Sequence, residues 1–242
     1  MSAPWVLGGG GPVIPKFGTP NECLKNNGWF CPGWVRDHWS DILQPALIQH
    51  IELTVIAVGI GFVASFVLAF VGFRFRVFDL PLGAATDFLY TIPSIALFQL
   101  LVPFTGLTVT TIEIALISYT LFVLYRNIVT GLRGVPAEVL ESARGMGLTR
   151  RQTFWRVEVP LAMPAILAGV RVATVSTISI ATVGAFLIYY GLGGPIFDAL
   201  GQPDIFRTEL VAAGGLAILL ALTADALIAL LQRVLTPWNR IR

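Results

Sequence analysis

Apolar residues in this chain come in long unbroken runs, and polar residues gather between them. "LTVIAVGIGFVASFVLAFVGF", residues 53–73, contains no charge. A helix rising 1.5 Å per residue needs roughly 20 such residues to cross about 30 Å of hydrocarbon, so this run predicts a membrane span. The same measure predicts further spans at 80–104, 109–130, 164–190 and 210–232.

Between the third and fourth runs the pattern changes. Residues 137–144 are helix formers, Gly145 and Gly147 interrupt them, and "LTRRQTFWRVEV" resumes a mixed helical pattern. This predicts a short helix, a glycine bend and a second helix closed by Pro160, within a loop at 131–160. A plain connection needs far fewer residues, so the stretch reads either as a docking surface or as a solvated charged loop. Ahead of the first run, "GWVRDHWSDILQPALIQH" mixes Trp34 and Trp39 with Arg36, Asp37, His38 and Asp41. That mixture suits an amphipathic segment at a membrane interface.

Composition sharpens the class. Of 242 residues 55% are hydrophobic and only 12% charged, against about 25% charged in soluble domains. The expected fold is an all-α integral membrane protein. A net charge of +2 gives no reason to expect nucleic acid as a partner. Arg74 and Arg76 follow the first run, Arg133 to Arg156 follow the third, and Arg233, Arg240 and Arg242 follow the fifth. All three sets fall on one side, which the positive-inside rule makes cytoplasmic. The N-terminus is therefore expected outside and the C-terminus inside a bacterial cytoplasmic membrane. The chain divides into an extracytoplasmic tail with an interfacial segment (1–50), a membrane domain (51–235) and a cytoplasmic tail (236–242).

The first twenty residues lack a basic region followed by a sustained apolar stretch, so a cleavable signal peptide is not expected. Cys23 and Cys31 suit a disulfide outside the cytoplasm, or two free thiols. His38 and His50 have no His, Cys or carboxylate at metal-ligand spacing, so no metal is expected. Asp87, Arg171 and Asp225 fall within predicted spans, where an ionisable group faces protein or water. A structural pair between Arg171 and one of the two acids is the simpler reading, a proton relay the other. Small residues at Gly59, Gly61, Ala181, Gly184, Gly214 and Gly215 suit close helix packing, either within the chain or against a second subunit.

The charged stretch resembles the coupling motif of ABC importer permeases, in which Glu-Ala-Ala, Gly and Ile-x-Leu-Pro stand at fixed intervals. Here Glu141-Ser142-Ala143 is followed after three residues by Gly147, and after nine more by Val157-Glu158-Val159-Pro160. Both intervals are kept, with Ser for one Ala and Val for Ile and Leu. The resemblance extends from about residue 51 to 236 through "TIPSIALFQLLVPFTG", "YRNIVTGLRGVPAEVLESARGMGLT" and "VEVPLAMPAILAGVRVATVSTISIATVGAF". These stretches resemble the osmoprotectant branch, which handles glycine betaine, choline and carnitine. It implies a type I importer permease fold of about five spans with a cytoplasmic coupling helix. Glu141, Ser142, Ala143, Gly147 and Pro160 would couple it to an ATPase dimer. It also implies a second permease subunit, identical or related, and an extracytoplasmic substrate-binding protein. No G-x-x-x-x-G-K-[ST] phosphate loop occurs, so ATP and Mg would be used by the partner and no cofactor by this chain.

One departure stands out. The branch ends its fourth span in a small-residue turn, whereas this chain reads "LIYYGLGGPI". Phe186, Tyr189 and Tyr190 are candidates for a substrate path, since aromatic faces attract quaternary ammonium. An interfacial tyrosine belt is the plainer reading. Competing functions are an ABC permease for an amino acid or sulfonate, an ion-coupled secondary transporter, in which Pro93 and Pro164 would break helices, and a membrane-embedded enzyme, which the scarcity of His and Cys disfavours.

Overall fold

The computed structural model describes Cys23 and residues 26–238; the Gly/Pro stretch at the N-terminus, Arg240 and Arg242 lie outside the described residues. Among those described, regular structure is entirely helical. Helix α1 (Pro32–Asp37) leads through a π-helical turn at Trp39–Leu43 into α2 (Gln44–Arg74). Residues 44–50, which suit an interface by sequence, are thus the first turns of the first span. Leu43, Ala46, His50, Leu53 and Ala57 are all buried. Their spacing of three and four residues carries one packing stripe from the polar segment into the apolar one. At 31 residues, α2 is about 46 Å long at the α-helical rise, more than a bilayer core requires.

The second span is broken. α3 (Arg76–Thr91) and α4 (Ser94–Thr105) meet at a bend of 100°. Pro93 lacks an N–H and pushes Ile92 into extended backbone, φ −70° and ψ 126°. Backbone left open in a membrane must find a partner. Here the Tyr119 hydroxyl donates to the Ile92 carbonyl, while Tyr90 stacks on Phe122 with centroids 4.3 Å apart. Pro164 breaks nothing, since it lies inside a continuous helix.

α5 (Val109–Arg133) is the central post, packed between α2 and the long helix α8 (Val159–Gly184). Among the described residues four helices are long and apolar enough to cross a membrane, and the bent pair supplies the length of a fifth. Helices α6 (Ala137–Gly145) and α7 (Arg150–Thr153) lie between α5 and α8. Pro160 does not close a helix as expected. A π turn at Phe154–Glu158 joins α7 to α8, so the helix runs unbroken from Arg150 to Gly184, with Pro160 in the first turn of α8, where a missing N–H is tolerated.

The fourth span ends at Gly184, before the tyrosines. The chain folds back there because Gly193 sits against the Thr182 carbonyl, where a Cβ would come within 2.1 Å. α9 (Gly193–Gly201) and α10 (Arg207–Leu235) complete the chain. Only some of the small residues are used for packing within the chain. Gly61 packs on Thr120 and Gly184 on Ile112, whereas a Cβ added at Gly59, Gly214 or Gly215 would meet nothing within 4 Å.

Candidate functional site

The stretch with the coupling-like motif forms a compact pair of short helices at one end of the bundle. Gly134, Val135 and Pro136 are all that separate α5 from α6, and Met146 to Thr149 lead into α7. Gly147 takes φ +81°. Its N–H donates to the Arg144 carbonyl at 2.9 Å, and the Leu148 N–H donates to Ala143 at 3.2 Å. This pair of bonds is a Schellman cap, whose left-handed position favours glycine. Thr149 and Gln152 then form a capping box that starts α7. Its signal in the sequence is Thr-x-x-Gln, a finer mark than the mixed helical pattern around it.

Within α6, Ala143 is 1% exposed and faces inward, while Glu138, Glu141 and Ser142 face outward. The Ser142 hydroxyl donates to the Glu138 backbone carbonyl at 2.8 Å, and the Glu141 carboxylate makes no hydrogen bond or ion pair with any described residue. The return segment is anchored in turn. Phe154 meets Phe70 edge-on at 5.1 Å, and Trp155 stacks on Phe66 at 6.1 Å. α6 is thus linked to α5 on one side and, through α7 and the π turn, to α8 and α2 on the other. Beneath it lies a cavity of about 1490 Å³ lined by Arg74, Arg76, Arg133, Arg144, Arg150 and Arg151, with Glu158 as the one acid. The structure thus gathers on one face basic residues that lie far apart in sequence. Pro160, half-buried in α8, shares the motif but not this surface.

The membrane-level charges find partners within the chain. Arg171 donates from Nε and Nη2 to the two oxygens of Asp225, each at 2.8 Å. Asp87 pairs with Arg126, whose Nε donates at 3.1 Å, and Asp79 pairs with Arg133 at 2.6 Å while accepting from the Tyr125 hydroxyl. Arg126, in the second half of α5, is thus an ion-pair partner.

At the opposite end the three aromatic candidates do not converge. Phe186 packs edge-on against Phe197, the Tyr189 ring covers Gly194, and the Tyr190 hydroxyl donates to Glu52 at 3.2 Å. Burial pushes both phenols above their ordinary range, so they are neutral. Tyr190 alone lines a cleft of about 230 Å³ with Glu52 and Glu113, and neither Glu113 oxygen has a hydrogen-bond partner.

His50, which has no metal-ligand spacing in the sequence, is a buried clamp. Its Nδ1 accepts from the Leu192 N–H at 3.2 Å and its Nε2 donates to the Ile178 carbonyl at 3.0 Å, joining α2, α8 and the turn before α9. Among the described residues no group of three or more His, Cys, Asp or Glu could hold a metal. Cys23 and Cys31 form a disulfide, and the loop it closes sits on the start of α10 through Asn27, which donates to the Ile205 carbonyl and accepts from the Arg207 N–H.

A family profile described as binding-protein-dependent transport system inner membrane component matches residues 57–240. The chain is 33% identical over 190 residues to the choline transport system permease protein OpuBB of Bacillus subtilis (strain 168), covering 78% of this chain and 86% of that one. It is 35% identical over 201 residues to the osmoprotectant import permease protein OsmW of Salmonella typhimurium (strain LT2), covering 81% and 92%. A chain of the inward-facing MetNI methionine ABC transporter superposes with a TM-score of 0.71 at 19% identity, over 83% of this chain and 98% of that one. That last likeness is one of fold.

Proposed function

This chain belongs to the family of binding-protein-dependent transport system inner membrane components, and we propose that it is the permease subunit of an ATP-driven importer for osmoprotectants of the glycine betaine, choline and carnitine type. The observation that carries the reading is the outward Glu141 face of α6, held at both ends by short links to membrane helices. A cytoplasmic ATPase dimer grips this face, and its closure on ATP is transmitted through α5 and α8. The basic residues around the cavity under α6 support a cytoplasmic position for this end, with the disulfide loop outside. A substrate-binding protein delivers the solute there, and a second permease subunit, a copy or a relative, completes the path. The substrate class is supported by the two relatives named above.

The test is uptake of labelled choline, glycine betaine and carnitine at high osmolarity, in cells lacking other importers, with and without this chain and its ATPase. Uptake that requires both proteins is expected. Gly147→Trp removes it while membrane insertion continues, because the left-handed position costs a side chain about 1–2 kcal/mol and the cap that orients α6 is lost. Full uptake by that variant would overturn the coupling role. An assembled complex that moves none of the three solutes would move the substrate to an amino acid or sulfonate.

A further inference from the structure

A second cleft, of about 630 Å³, opens at the disulfide end between α1, α9 and the start of α10. Its walls include Trp34, His38, Phe197, Asp198, Phe206 and Glu209. Glu209 is 6% exposed, and its carboxylate makes no hydrogen bond or ion pair with any described residue. A buried ionised group without a partner is unfavourable. The first-turn position in α10 offsets part of that cost through the helix dipole. Asp198, however, adds a second negative charge that acts on the first, and one helix end does not account for both.

Among the described residues only the His38 ring, on the cleft wall, acts on Glu209 as an opposing charge, and it makes no hydrogen bond or ion pair with the carboxylate. No Lys or Arg lines the cleft, and Arg207, next along the chain, is held over the Trp29 ring at 5.0 Å. The walls are set by packing beforehand: Trp34 stacks on His38 at 4.6 Å and meets Phe206 edge-on at 5.2 Å. Thr208 further ties this corner to the disulfide loop by donating to the Gly28 carbonyl at 3.1 Å. Tyr189 stands near enough for both acids to act on it. A metal ion would need a cage of oxygen or nitrogen ligands, and no such group exists among the described residues. Two carboxylates with aromatic walls suit a bulky organic cation that brings no N–H groups to be satisfied.

We propose that this cleft is a binding site for methylated ammonium cations, an outer subsite where substrate released by the binding protein is held before it enters the membrane. The inference rests on the importer reading and adds to it a place on this chain where the cation binds. The site reads positive charge, so choline and tetramethylammonium bind, the zwitterion glycine betaine binds less tightly, and the uncharged choline isostere 3,3-dimethylbutanol does not compete.

The experiment is equilibrium binding of labelled choline to the purified permease–ATPase complex without binding protein, with the three unlabelled compounds as competitors. Saturable binding is expected, displaced by tetramethylammonium and weakened at least tenfold in Glu209→Gln. The exposed Asp198→Asn is a second variant, which keeps the test open should burial make the first unstable, and it is expected to weaken binding severalfold. Unchanged affinity in a folded variant of either residue overturns the proposal, as does equal competition by the uncharged isostere. Absence of choline binding alongside intact choline uptake overturns the subsite and leaves the importer standing. Failure of uptake for every quaternary ammonium, with tetramethylammonium still bound, overturns the importer reading and leaves the cation site. If both variants keep choline binding but lose capture of the binding protein, the acids serve protein docking and the proposal fails.

Discussion

At the end of the bundle that carries α6, Asp79, Asp87 and Asp225 each lie against an arginine. At the disulfide end Glu113, Asp198 and Glu209 have no cation within ion-pair distance among the described residues. The two ends differ although both hold acids and both hold arginines. A carboxylate matched within its own chain, through a bidentate guanidinium in the case of Asp225, is finished when the chain folds, and its work is to hold helices in register. An unmatched carboxylate on a cleft or an exposed helix is left for something that arrives later. Glu141 obeys the same rule at the other end: with Glu138 it is one of two outward acids of α6 without an ion pair, and the two mark the face the ATPase would grip.

Four substitutions put this contrast at risk. The largest effect is expected from Glu141→Ala, which should reduce ATP-driven uptake at least tenfold while leaving the amount and thermal stability of the membrane protein unchanged. Loss of stability in parallel with uptake would place Glu141 among the structural acids. Next comes Arg171→Ala, which strands Asp225 at membrane depth. The yield of folded protein should fall severalfold and recover in the double variant Arg171→Asp with Asp225→Arg, as judged by gel filtration in detergent. Without recovery the pairing would not be what that site requires.

His50→Ala comes third. It leaves the Leu192 N–H and the Ile178 carbonyl unpaired in a buried position, at about 1–3 kcal/mol for such a group, and should lower the midpoint of thermal unfolding. The smallest effect is expected from Glu113→Gln. Both Glu113 oxygens are already without partners, so removing the charge should leave stability unchanged or slightly raised. A clear loss would show that Glu113 has a structural partner in the assembled transporter and would weaken the distinction between the two ends.

Much of this is legible along the chain. Apolar runs long enough to cross a bilayer are a local property, and the intervals between Glu141, Gly147 and Pro160 survive any folding. The left-handed Gly147 is foreseeable as a bend because a glycine after a run of helix formers has few other uses. The same local reading fails where packing overrules it. Pro160 reads as a stop, yet the π turn before it lets the helix continue. Pro93 reads as an interruption within one span, and the structure adds a bend of 100° whose open Ile92 carbonyl is met by the Tyr119 hydroxyl from α5.

Hydrophobic length, charge placement and motif spacing are one-dimensional, and they suffice to make this a multi-span membrane chain with a charged helical element between its third and fourth spans. It took the folded bundle to settle that Arg171 chooses Asp225 over Asp87, that His50 bridges two helices and a turn, and that Trp34, Asp198 and Glu209 face one cleft. Each of these joins residues far apart in the chain, and only the packing of helices against one another selects among partners that the linear order leaves equally available.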